Sequence, residues 1–152
     1  MTVDREAHRD AVEEVWGSVG WGPIAGLAAV VVVVVTLYGV GVLLPYFVND
    51  LHRLPSAQLA GGAHDPMDLW PQDGWAGPVA VAGLLGVSLG PLVLLGVVGL
   101  GAVWLWSLWR RRREPGIALR SLAVLATMAA SVAALLFWLS EPGSALAAWR
   151  LD

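Results

Sequence analysis

Apolar and polar positions in this chain are not interleaved; they fall in blocks. Three long apolar runs, at about 23–48, 78–109 and 117–139, are separated by short polar stretches. Strict alternation would indicate half-buried strands, and a single stripe would indicate an amphipathic helix on a water-soluble core. Runs that are apolar on every face, each near or above the roughly 20 residues that cross a bilayer, predict transmembrane helices instead. The expected fold class is an all-α membrane protein with three transmembrane helices.

The centre of the first run, Val30 to Val35, is six consecutive valines. β-branched residues are weak helix formers in water, but lipid offers the backbone no other hydrogen-bond partner, so a helix still follows. From Pro23 to Val48 it would reach roughly 39 Å, and it would exit at Asn49-Asp50. The run is too long for a signal core and the segment before it is acidic, so it reads as a retained span.

The second run, Pro78 to Trp109, would reach roughly 48 Å as one straight helix, beyond the hydrocarbon thickness. Gly90-Pro91 lies in its middle, where Pro91 removes a helical hydrogen bond and crowds the Val87 carbonyl. This predicts a long, tilted span kinked at Gly90-Pro91, with a re-entrant hairpin as the alternative. The third run, Ile117 to Leu139, is closed by Glu141-Pro142-Gly143.

These spans organise residues 1–152 as a single membrane domain. Residues 1–22 form a polar N-terminal segment, 49–77 a loop, 110–116 a basic turn and 140–152 a short tail with Trp149 as an interface anchor. In the N-terminal segment five acidic residues outnumber Arg5 and Arg9, and Val3, Ala7, Ala11 and Val15 make a narrow apolar stripe. A solvated helix is the plain reading and a partner-docking face the sharper one.

Composition supports the blocks. Apolar residues make up 57% and charged residues 14%, too few polar side chains to coat a water-soluble globule of 152 residues. Cysteine is absent, which removes disulfides and thiol chemistry. All nine basic residues are arginine, a usage that with abundant Ala, Gly, Val and Trp suggests a GC-rich bacterial genome.

Charge distribution gives a direction. Arg5, Arg9, Arg110 to Arg113 and Arg120 belong to one membrane face, against Arg53 and Arg150 on the other. The positive-inside rule then predicts a cytoplasmic N-terminus and an external C-terminus. Trp16, Trp21, Trp104, Trp106 and Trp109 would mark the inner interface, and Trp70, Trp75 and Trp138 the outer one.

Candidate chemistry is sparse. No ionisable side chain falls at the centre of a span, which argues against pumps, proton-coupled transporters and voltage sensors. Arg120, one turn inside the third span, is expected to snorkel to the interface. His52, His64, Asp65 and Asp68 share the loop, but their spacing matches no zinc or acid–base motif. No catalytic residue, metal site or cofactor is expected. Arg110, Arg111, Arg112 and Arg113 read as topology determinants facing headgroups, with anionic-lipid binding as a second reading. Four arginines in a short turn are too little surface for nucleic acid.

The packing faces say more. Gly83, Gly86 and Gly90 share one face of the second span, and Ala123, Thr127 and Ser131 one face of the third. Such small-residue faces let helix backbones approach closely in lipid. Gly22-x-x-x-Gly26 and Gly39-x-Gly41 are weaker versions on the first span. The resulting expectation is a small non-enzymatic interaction protein of the cell membrane, an accessory, assembly or regulatory subunit of a membrane complex. Its partners would be the lipid bilayer and a membrane protein or a second copy. The alternatives are an oligomeric channel or transporter with Gly90-Pro91 lining its pathway, an immunity-type membrane protein, or an enzyme built on the loop.

Overall fold

A computed structural model describes residues 19–55, 58, 69–70, 77–113 and 115–151. It contains three helices long and apolar enough to cross a membrane: α1 (Trp21–Val48), α2 (Pro78–Arg110) and α3 (Ile117–Leu139). A fourth, shorter helix, α4 (Glu141–Leu151), follows. Among the described residues there is no strand. The protein is an all-α membrane protein with three spanning helices.

The bounds agree with the apolar runs to within the usual end fraying. Pro23 and Pro78 fall in the first turns of α1 and α2, where a missing N–H is harmless. α2 runs unbroken through Pro91, so the second run is one span and not a hairpin.

The three spans form a bundle in which α2 packs on both α1 and α3. Its interior is stacked in three layers. Near the arginine turn lie Ile24, Leu108, Ile117 and Val124; at mid-span Leu27, Val31, Val34, Leu94 and Val97; near the loop end Tyr38, Val42, Leu51, Val87, Leu146 and Trp149. Inward-facing positions on each helix step alternately by three and four residues. On α2 they run Ala80, Gly83, Val87, Gly90, Leu94, Val97, Gly101, Trp104 and Leu108; on α3, Ile117, Arg120, Val124, Thr127 and Ser131. This is the spacing of left-handed, coiled-coil-like packing. Because the spans are apolar all round, the seam leaves no mark in hydropathy.

The α1–α2 contact is made by glycines. A Cβ on Gly41 would collide with the backbone of Gly83, and one on Gly83 would stand 2.5 Å from the Gly41 carbonyl oxygen. One turn on, a Cβ on Gly86 would lie 3.0–3.2 Å from backbone atoms of Leu37 and Tyr38. Another turn on, a Cβ on Gly90 would lie 3.2 Å from Val34 Cγ1. Gly41 opposes Gly83, Tyr38 opposes Gly86 and Val34 opposes Gly90, so each step along one helix is matched by an equal step back along the other. The small-residue face of α2 is thus used inside the bundle.

Where α1 meets this crossing it widens into a π-helical turn, Gly39–Leu43, with the Leu44 N–H reaching the Gly39 carbonyl. Pro45 explains the change: it offers the ladder no N–H, and its ring crowds the preceding turn. The extra residue per turn brings both Gly41 and Val42 inward, where both are buried.

Three aromatic positions differ from the interfacial placement that the sequence suggests, the first being Trp104, half-buried in the α2 seam. Trp138 lies inside the bundle, half-buried, 4.4 Å between ring centroids from Tyr38 and directly over Gly90. Trp149 is not an interface anchor; it is fully buried. The short tail that carries it forms α4. Ser140 caps this helix, its Oγ accepting from the Gly143 N–H at 3.3 Å, with Glu141 and Pro142 in the first turn. The Ser-Glu-Pro-Gly string that reads as the end of the third span is also the start of a new helix. Trp16 and Trp75 lie outside the described residues.

Replacing Gly83 or Gly41 with alanine should overpack the crossing and destabilise the protein by about 1–3 kcal/mol. Gly26→Ala, where a Cβ meets nothing within 4 Å, should be neutral. Thermal unfolding of the three variants in mild detergent checks this; equal midpoints would show that the crossing is looser than described.

Candidate functional site

No catalytic constellation emerges at the loop end. His52 is exposed and its ring rests 5.6 Å from that of Phe47. Its expected companions His64, Asp65 and Asp68 lie outside the described residues, as does the acidic N-terminal segment. Among the described residues no three His, Asp or Glu side chains gather where a metal would sit. Asn49 Nδ2 donates to the Pro45 and Trp70 carbonyls, tying the loop back to the end of α1.

What the loop end does contain is a buried arginine. Arg150, from the last turn of α4, is 4% exposed and donates from Nη2 to the Ala80 carbonyl at 2.7 Å. Its guanidinium lies over Gly83, where a Cβ would stand 3.1 Å from Cζ. Ala80 and Gly83 are in the first two turns of α2. That helix, at 33 residues, is about 50 Å long, more than the roughly 30 Å hydrocarbon core needs. Arg150 thus enters the bundle beside the first turns of its longest helix. Burial pulls its pKa down through lost solvation, but arginine starts so high that the group stays charged. Two charges thus reach the bundle away from the span centres: half-buried Arg120, one turn inside α3, and buried Arg150 from the tail. Tyr38, 5% exposed beneath this cap, has a hydroxyl with no hydrogen-bond partner among the described residues.

The helix-packing residues divide by role. Gly83, Gly86 and Gly90 are all buried against α1, and Gly90 also against Trp138. A Cβ on Gly90 would run into Trp138 and Val34, so this glycine sits under side chains of α3 and α1. On α3, Ser131 is buried while Ala123 and Thr127 are half-buried. The hydroxyls turn back on their own helix, Thr127 Oγ1 donating to the Ala123 carbonyl and Ser131 Oγ to the Thr127 carbonyl, each at 2.9 Å. They fill space and form no bridges between helices. Arg120 is not free at the interface: it occupies a seam position, half-buried, between Ile117 and Val124.

Of the grooves among the described residues, two are lined by exposed apolar side chains of the spans. One, of about 380 Å³, lies between α1 and α2 at mid-span, with Ala29, Val30, Val33 and Leu37 on one wall, Leu85, Leu89 and Val93 on the other, and Gly86 and Gly90 at its base. It continues into an open stripe on α1, where Gly22 and Gly26 have nothing within 4 Å of a would-be Cβ. The other, of about 620 Å³, lies between α2 and α3 beside the arginine turn. There Arg110 stacks on Trp106 at 5.1 Å and Arg112 on Trp109 at 5.6 Å, both cations standing over aromatic faces.

Comparison with known proteins found no matching family model, curated protein or solved structure. Function must be argued from these surfaces.

Arg150→Ala should lower stability by about 2 kcal/mol, the worth of a charge-assisted hydrogen bond in a closed site. Arg150→Lys should recover part of the loss and Arg150→Met only the share due to packing. Unfolding in mild detergent reads the series; three variants equal to wild type would mean that the cap is not a stabilising contact.

Proposed function

We propose that this is a small non-enzymatic integral membrane interaction protein, an accessory or assembly subunit that docks a partner's transmembrane helix on the α1 side of the bundle. The observation that carries this reading is an open small-residue stripe that runs into a groove on α1. On α3, by comparison, Leu119, Leu122 and Leu136 stand out from the exposed alanines at about 60% exposure each. α1 presents Gly22, Gly26, Ala29 and Val33 on one stripe leading into the mid-span groove. Small residues at four-residue spacing let a second backbone come close, and close approach is what drives helix association once lipid has removed the hydrophobic force.

The interior supports the same reading. It is packed with side chains in all three layers, and no ionisable group from a span crosses its centre. A subunit of this kind sits in the cell membrane with the arginine turn and N-terminus in the cytoplasm, the orientation favoured by seven arginines on one face.

A photoreactive residue placed at Ala29 should crosslink in native membranes to one discrete partner, either another protein or a second copy of this chain. The same group at Leu122 should crosslink to lipid only. Indistinguishable products from both positions, or no protein product from Ala29, would remove the docking face.

A further inference from the structure

Beside the arginine turn, α2 and α3 border a groove on the bundle's outer surface whose lining includes an exposed alanine from each helix, Ala102 and Ala118. Small side chains there leave a groove of about 620 Å³ whose lower part is apolar, with Leu105 and Leu125 along it. Its mouth is cationic and aromatic. Trp109 and Arg112 both line it, and stacking on Trp109 holds the Arg112 guanidinium at the rim, where a freely swinging side chain would spend its time in water. Arg110, outside the lining itself, stacks over Trp106, which does line the groove, and the two indoles lie 5.9 Å apart, which brings a second cation close to the mouth. Ser121 adds a single hydroxyl inside the groove.

From this geometry we propose that the α2–α3 groove binds one anionic glycerophospholipid, its phosphate at Arg112 and Arg110 and an acyl chain laid between Ala102 and Ala118. The occupant must be anionic at the mouth and hydrocarbon below it, and must reach the groove from within the membrane. A soluble phosphate satisfies only the rim, and a zwitterionic lipid carries its own cation into an arginine cluster. A partner helix would leave the rim charges facing its backbone. The site is separate from the α1 docking face and does not depend on it.

The test is native mass spectrometry of the full chain released from phosphatidylcholine nanodiscs doped with phosphatidylglycerol. Wild type should retain a single phosphatidylglycerol in preference to phosphatidylcholine. Arg112→Gln should weaken retention roughly fivefold, the effect of one cation at a charged membrane surface. Ala118→Phe, which fills the groove and leaves every charge in place, should abolish it, and Ala102→Phe should do the same from the α2 side. Both alanines are exposed, so circular dichroism should show unchanged helicity. If the phenylalanine variants retain lipid as wild type does while Arg112→Gln does not, the attraction is diffuse and the site is overturned. Equal retention of the two lipids by wild type, or equal thermal protection by inorganic phosphate alone, would also overturn it.

Discussion

At Gly41 and Gly83 two helix backbones touch with no side chain between them. In a bilayer, where lipid is as apolar as leucine, contact of this kind is the main source of attraction between helices, because it gains dispersion and leaves no gap. Its position is exacting. Moving either glycine by one residue would put a Cβ into the other backbone. The crossing therefore sets the register of α1 on α2, and with it the partners that follow along the seam: Tyr38 on Gly86, then Val34 on Gly90.

The loop end is built around that point. Pro45 and the π-helical turn bring Gly41 inward, and the absence of a side chain at Gly83 leaves room above it for the Arg150 guanidinium. Arg150 in turn anchors α4, whose Leu146 and Trp149 complete a core that Tyr38, Val42 and Val87 only half enclose. A short helix without a wide apolar face gains little from the membrane itself. It is held by what the spans leave open. The arginine end follows a different rule: cations are stacked on indoles at the rim of a surface groove lined by Ala102 and Ala118.

Much of this was legible in the sequence, for a physical reason. Lipid satisfies no backbone hydrogen bonds, so three apolar runs have to be helices, and their lengths place the ends within a residue or two. The Gly83, Gly86 and Gly90 face was legible too, since four-residue and three-residue spacing of glycine survives any change in neighbouring side chains. The partner of that face was not. Gly39-x-Gly41 and Gly22-x-x-x-Gly26 read alike as weaker faces, yet Gly41 makes the crossing, while Gly22 and Gly26 are open among the described residues. The tail's helix is hard to read because Glu141-Pro142-Gly143, which does close the third span, is as good a start as a stop, and only Ser140 before it marks the start. Nothing local marks Arg150 as buried; its site is created 70 residues away.

The crossing itself can be measured directly. The native sequence has no cysteine, so nitroxide labels can be placed cleanly at Val40 and Leu84, each lipid-exposed and one residue from a crossing glycine. In reconstituted bilayers the doubly labelled protein should show strong dipolar broadening by continuous-wave electron paramagnetic resonance, absent from the two single labels. A doubly labelled spectrum equal to the sum of the singles would mean that the helices do not meet at Gly41 and Gly83, and the packing described above would fall with it.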